Sequence, residues 1–74
     1  MVSQELLVRA SRRTGYRVEL VAAPMGIIAR RHRAGQSLAE ITRFLHDQLG
    51  PDSPVASRTF VAWVLDEVER GAGR

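Results

Sequence analysis

The sequence contains no cysteine, no lysine and only four aromatic residues among its 74 positions. Without cysteine the chain cannot form a disulfide framework, a thiolate zinc site, an iron–sulfur cluster or a cysteine nucleophile. A domain of this length buries only about 60% of the surface that its unfolded chain exposes, so a large active-site cleft is not expected. Small cores without such cross-links often gain stability from a second copy, and we therefore expect a homodimer.

Long hydrophobic runs are also missing. The longest nearly uninterrupted one, residues 20–29, is about half of what a membrane-spanning helix needs. The first residues show no positively charged region ahead of an apolar one, so we expect no secretory signal. Hydrophobic residues make up 45% of the chain and charged residues 26%, which is the balance of a globular domain. The expectation is a folded, cytoplasmic protein with no membrane contact.

All eleven basic residues are arginine, which either codon bias in a GC-rich genome or recognition of phosphate and guanine would favour. These arginines are unevenly spread. Residues 1–43 contain eight arginines and three glutamates, a net charge of +5, whereas residues 44–74 contain three arginines and five carboxylates, a net charge of −2. Such asymmetry favours a protein that lays one face on a polyanion.

The N-terminal part predicts one helix and an ambiguous segment. Ser3 is placed to cap a helix that Gly15 ends. Residues 16–22 alternate in the period-two pattern of a half-buried strand, although a helical or irregular connection fits the same short run. The predicted organisation has three parts: residues 1–23 with this helix and an extended or strand segment, residues 24–70 as the core, and residues 71–74 as a flexible tail.

Three further helices are predicted in the core. Pro24 suits the first position of a helix and Gly35 its end. Ser37 and Glu40 have the spacing of a capping box directly ahead of an apolar stripe. The last helix is expected to begin at Ser53–Pro54 or at Ser57 and to run to about Arg70. We therefore expect a mostly α-helical fold with a three-helix core and at most one short strand.

A glycine-terminated helix is thus followed by a capped helix, and then by a helix that opens with the pattern Val-x-Ser-x-Thr-Phe-x-x-Trp-Val. The positions concerned are Gly35, Ser37, Glu40, Ile41, Val55, Ser57, Thr59, Phe60, Trp63 and Val64. This pattern resembles a helix-turn-helix domain of the kind found in small phage and plasmid regulators, over about residues 24–70. The resemblance implies a transcriptional regulator or mobile-element accessory factor that binds double-stranded DNA without a cofactor.

The resemblance also implies which residues contact DNA. The first turn of the last helix would enter the major groove, so the candidates for base reading are Ser57, Arg58, Thr59 and Ala62. Arg58 is the strongest of them, since a bidentate arginine–guanine pair is the commonest specific contact. Contacts to phosphates are expected from four other arginines, namely Arg30, Arg31, Arg33 and Arg43.

Three alternatives stay open. Capped amphipathic helices also fit a generic helical bundle. A strand at residues 16–22 followed by a helix resembles a ribbon-helix-helix dimer, whose paired strands lie in the major groove. A small phage or plasmid inhibitor or adaptor would instead use Arg30, Arg31 and Arg33 to contact an acidic surface of a host protein, without touching DNA.

Patterns typical of catalysis and metal binding are missing. His32 and His46 are fourteen residues apart with no cysteine beside them, so no metal site is expected. Asp66, Glu67 and Glu69 are expected to form a solvated helix face rather than an acid–base pair. No glycine-rich phosphate loop or nucleophile elbow is present, and we expect neither an enzyme nor a cofactor.

Overall fold

The computed structural model describes residues 2–72, and within that range the chain forms four helices and no strand. The helices are α1 (Gln4–Thr14), α2 (Val18–Arg33), α3 (Leu38–Leu49) and α4 (Arg58–Ala72). Helices α2, α3 and α4 each contact the other two, and α1 lies mainly against α2. The prediction of a mostly α-helical fold is confirmed.

Helix α1 begins and ends where its sequence predicts. The Leu6 amide donates a hydrogen bond of 3.2 Å to the Ser3 side-chain oxygen, and Gly15 takes the left-handed φ of 77° that ends the helix. Leu6 and Ala10 are buried on one face of α1. Arg9, Arg12 and Arg13 of the same helix are exposed to solvent, so α1 both joins the core and adds positive charge to the surface.

The strand prediction for residues 16–22 is wrong. Val18–Arg33 is a single helix, and Pro24 occupies its seventh position rather than its first. Leu20, which the alternating pattern would bury, is 57% exposed. Because the ribbon-helix-helix alternative depends on a strand in this segment, it is wrong as well.

Packing of α2 explains why a helix runs through the proline. An interior proline costs about 3 kcal/mol because it has no N–H for the carbonyl four residues earlier, here that of Leu20. Val21, Met25 and Ile28 recur on one helical face and are fully shielded from solvent. Burying each such side chain contributes about 1.5–3 kcal/mol. Together the three outweigh the proline, so tertiary packing decides the local structure.

Helix α3 begins with the predicted capping box. The Glu40 amide donates to the Ser37 side-chain oxygen at 3.2 Å, and the Ser37 amide donates to Glu40 Oε1 at 2.9 Å. Ile41 and Leu45 extend from this start into the core and are fully buried. The cap therefore fixes where the apolar stripe of α3 begins.

The connection between α3 and α4, residues 50–57, is anchored because the apolar residues near its C-terminal end are buried in the core. Val55 and Ala56 are 2% and 0% exposed, and the Ala56 amide donates to the Ser53 carbonyl at 3.0 Å. Because these two residues belong to the core, the long connection still sets the position of α4 against α3.

Helix α4 completes the core with Phe60, Val61 and Val64, all of them buried. It begins at Arg58 and runs to Ala72. The first two residues of the predicted tail therefore continue the helix, and residues 73–74 lie outside the described residues.

Candidate nucleic-acid interface

The first turn of α4 is capped by one of the predicted base-reading residues. The Phe60 amide donates to Ser57 Oγ at 3.1 Å, and the Val61 amide donates to the Ser57 carbonyl at 3.0 Å. Ser57 is half-buried, and its hydroxyl lies 3.4 Å from the Pro54 carbonyl oxygen. Its side-chain oxygen is thus used within the protein, in the manner of an N-cap.

The other three predicted base-reading residues share the outer side of α4. Arg58 and Thr59 are exposed and Ala62 is half-buried. Ala62 lies four residues after Arg58 and three after Thr59, which puts the three on neighbouring positions of one helical face. The structure therefore brings the proposed readers together at the N-terminal end of α4, where the helix dipole is positive.

An arginine of α1 lies beside this turn, and sequence reasoning missed it. Arg13 and Thr14 border a shallow depression together with Ser57, Thr59 and Phe60 of the α4 start. Arg13 is exposed, as is Arg58, and neither forms an ion pair with a described carboxylate. The arginine-rich end of α1 was visible in the sequence, but its position next to α4 depends on how α1 packs.

Trp63 joins α1 to α4 one turn beyond the exposed residues. The guanidinium carbons of Arg9 and Arg13 lie 5.7 and 5.0 Å from the centre of the indole ring, within the range of cation–π attraction. Arg9 also forms an ion pair with Glu67. The Phe60 ring lies 5.9 Å from that of Trp63, tilted by 38°. This cluster holds the end of α1 against α4.

The second half of α4 is acidic. Asp66 and Glu69 are exposed. Arg70 lies 2.9 Å from Asp66 and 3.7 Å from Glu67, so part of this negative charge is balanced within the helix. Charge therefore changes sign along α4, from arginine at its start to carboxylates near its end.

The α2 arginines expected to contact phosphates do not border the depression at the start of α4. His32, in the middle of the α2 arginine group, has its Nε2 3.4 Å from Glu69 Oε1. Glu69 follows Arg58 by eleven residues along α4, a distance of about 16 Å at 1.5 Å per residue. Arg33 lies by the acidic end of α4 with Glu69, whereas Arg30 and Arg31 border a depression that includes Phe44 of α3.

The α2 arginines also differ from one another in their surroundings. Arg31 is half-buried, donates to Gln36 Oε1 at 3.1 Å and lies 3.4 Å from the centre of the Phe44 ring. It is therefore engaged at the junction of α2 with α3. Arg30 and Arg33 are exposed, and no described carboxylate is paired with either.

Arg43, the fourth predicted phosphate contact, is exposed on α3. Hydrogen bonds from the backbone amide and the side chain of Ser37 lower the pKa of Glu40, and the positive charge of Arg43 adds a smaller effect in the same direction. Arg43 thus already acts on a carboxylate one turn away, on a helix separate from the reading residues.

Among residues 2–72 there is no cluster of three or more side chains suited to hold a metal ion. In the same part of the chain no helix is both long and apolar enough to cross a lipid bilayer. Comparisons with protein-family models, with curated proteins and with solved structures give no match. The resemblance to helix-turn-helix domains therefore depends on the residues of this chain alone.

Proposed function

We propose that this chain is a small double-stranded DNA-binding protein that inserts the first turns of α4 into the major groove. One observation carries the proposal. The exposed pair Arg58 and Thr59 opens a helix that is packed on two others, and the exposed Arg13 lies beside that opening. A rigid helix end with arginine on its outer side suits bidentate reading of guanine.

The charge distribution supports insertion by the N-terminal end of α4. Phosphates attract the positive end of the helix dipole and the Arg58 side chain. Asp66 and Glu69 would be repelled, and they lie two to three turns further along. In this arrangement the acidic end of α4 points out of the groove.

Contacts to phosphates are assigned to the end of α1 in this proposal. Arg13 borders the same depression as Thr59, and Arg12 precedes it in the last turn of α1. An arginine beside the groove can neutralise a flanking phosphate without entering it. Arg33 lies by the acidic end of α4 and Arg30 does not border the depression at its start, so both are less suited to this task.

Fluorescence anisotropy with a labelled random-sequence duplex tests the proposal. The native chain should bind in the micromolar range or weaker, with affinity that falls steeply as salt increases. Arg13→Ala should remove about one unit from the slope of log affinity against log salt, as expected for one lost phosphate contact. Arg30→Ala is the matched control, because Arg30 is an exposed arginine of α2 that does not border the depression at the start of α4.

Arg58→Ala is then compared with native protein on a selected site and on random DNA. Losing a bidentate base contact costs about 1–3 kcal/mol on the selected site and much less on random sequence. Equal losses for Arg13→Ala and Arg30→Ala would refute the assignment of the interface to the start of α4. The role as a transcriptional regulator or mobile-element accessory factor would then be tested on the operator that selection identifies.

The alternative is a protein-binding inhibitor or adaptor, and one observation favours it. Arg30 and Arg33 are exposed beside an apolar groove, which is the composition of a protein contact rather than of a DNA contact. The same titration separates the two functions. Absence of any anisotropy change at low salt would refute DNA binding and leave the adaptor function.

A further inference from the structure

The outer face of α2 carries an apolar groove whose large hydrophobic residues, Val2, Leu7 and Ile27, pack against the core and remain partly accessible to solvent. The groove is bordered by Val2 and Leu7 on one side and by α2 on the other, and the α2 residues that line it are Ala22, Ala23, Gly26, Ile27, Ala29, Arg30 and Arg33. The fully buried α2 residues Val21, Met25 and Ile28 do not line the groove and belong to the core. Leu20, on the same helix, adds a large hydrophobic side chain that is 57% exposed.

Gly26 has no explanation within the single chain. It lies in the interior of α2 with an ordinary helical backbone, and a Cβ atom placed on it would meet nothing within 4 Å. Glycine there weakens the helix relative to alanine without relieving any contact. A glycine at such a position permits close approach by a backbone from outside the chain.

Charge on this face is arranged with opposite signs at its two ends. The stripe consists of Glu19, Ala23, Gly26, Arg30 and Arg33, spaced alternately by four and three residues; Gly26 is half-buried and the other four are exposed. Glu19 and Arg33 are about 21 Å apart along the helix, too far to pair within one chain. The two lie at equal distances of seven residues from Gly26. When a second copy of α2 lies antiparallel with its Gly26 opposite this one, Glu19 of each helix therefore faces Arg33 of the other.

We propose that a second copy of the chain packs on this face, with the two α2 helices antiparallel and a two-fold axis at Gly26. In this isologous contact Glu19 of each copy lies opposite Arg33 of the other. The glycines allow close approach of the two helices, and Ile27 of each copy adds apolar area beside the axis. Electrostatic complementarity selects the antiparallel direction, since a parallel pair would align like charges.

The proposed contact leaves the first turn of α4 uncovered, because Arg58, Thr59 and Ala62 do not border the groove. Two copies would thus present two such turns. This inference does not depend on DNA binding. It would stand if the anisotropy titration failed, and its own experiment measures association without any nucleic acid.

Sedimentation equilibrium of the full chain over the micromolar range tests the contact. The native chain should shift from 8.2 kDa to twice that mass as its concentration rises. Gly26→Leu should stay at the monomer mass throughout while keeping its helical circular dichroism, since a Cβ atom at this position meets nothing within 4 Å in the monomer and leucine favours a helix over glycine. A native chain that stays monomeric, or a Gly26→Leu variant that dimerises like the native chain, would overturn the proposal.

Charge reversal tests the antiparallel direction. Glu19→Arg alone and Arg33→Glu alone should each raise the dissociation constant of the dimer about tenfold, because each change repeats on both sides of the axis. The double variant should return to within about twofold of native, as expected for a directly coupled pair. Double variants no tighter than the singles would overturn the arrangement.

The matched control is the pair Arg43→Glu and Asp47→Arg on the exposed side of α3, which repeats the same charge changes away from the groove. Asp47→Arg alone should leave the dissociation constant at its native value. A loss equal to that of Glu19→Arg would mean that net charge rather than the α2 face controls association, and it would refute the proposed contact.

Discussion

Replacement of glycine by alanine is expected to have opposite effects on stability at two positions of this chain. Gly26 lies inside α2, and Gly15 ends α1 with a φ of 77°. A Cβ atom would meet nothing within 4 Å at either position, so packing contributes little to the effect of Gly→Ala. The backbone conformation alone distinguishes the two sites.

The expected magnitudes follow from that conformation. Alanine in place of an interior helical glycine stabilises by about 1 kcal/mol. Alanine in the left-handed region costs about 1–2 kcal/mol, partly offset by a more restricted unfolded chain, which leaves a net loss of about 1 kcal/mol. Gly26→Ala and Gly15→Ala should therefore differ by about 2 kcal/mol, or roughly 8–16 °C in Tm for a domain of this size.

Thermal unfolding followed by circular dichroism measures the difference, at a concentration where the native chain sediments as a monomer. Urea titration then gives the free energy of unfolding for each variant. If Gly26→Ala lowers Tm, or if the two variants shift it in the same direction, α2 does not continue as a helix through Pro24 and Gly26. The result would thus refute the observed course of α2 as well as the magnitude.

Two further predictions concern the other helix starts. The folded-state pKa of Glu40 is lowered, chiefly by its hydrogen bonds with Ser37. Its ionised form therefore stabilises the fold above its ordinary pKa of 4.5. That contribution disappears as the pH falls through the lowered pKa. Urea titrations of native protein and Glu40→Gln should therefore converge in acid, and a constant difference at every pH would contradict this. Val55→Ala should cost about 1–3 kcal/mol because Val55 is 2% exposed; a loss in the free energy of unfolding below 0.5 kcal/mol, at the level of surface substitutions, would show that the connection is not held by this residue.

Helix ends were predictable where a local hydrogen bond sets them. These signals act within a few residues: Ser3 and the Ser37 capping box mark where α1 and α3 begin, and Gly15 marks where α1 ends. The start of α2 was not predictable in this way. Pro24 and the alternating run before it give local signals against a long helix, and burial of α2 against the rest of the core overrides them.

One part of the candidate interface was also predictable from the sequence, and another part was not. Exposure of Arg58 and Thr59 follows from their spacing on α4 relative to the buried residues, so the sequence alone could predict it. The relative positions of different helices could not be read from spacing. Arg13 lies beside the α4 start and Arg33 lies at its far end because of the directions in which α1 and α2 cross α4.

Trp63 gives the protein an optical reporter of its own. It is the only tryptophan in the sequence, and Arg13, the residue assigned to a flanking phosphate, has its guanidinium 5.0 Å from the indole centre. A phosphate that draws Arg13 away changes the electric field at the fluorophore and therefore its emission wavelength. Binding, its salt dependence and its kinetics can then be followed on unlabelled protein, with the signal arising at the contact itself.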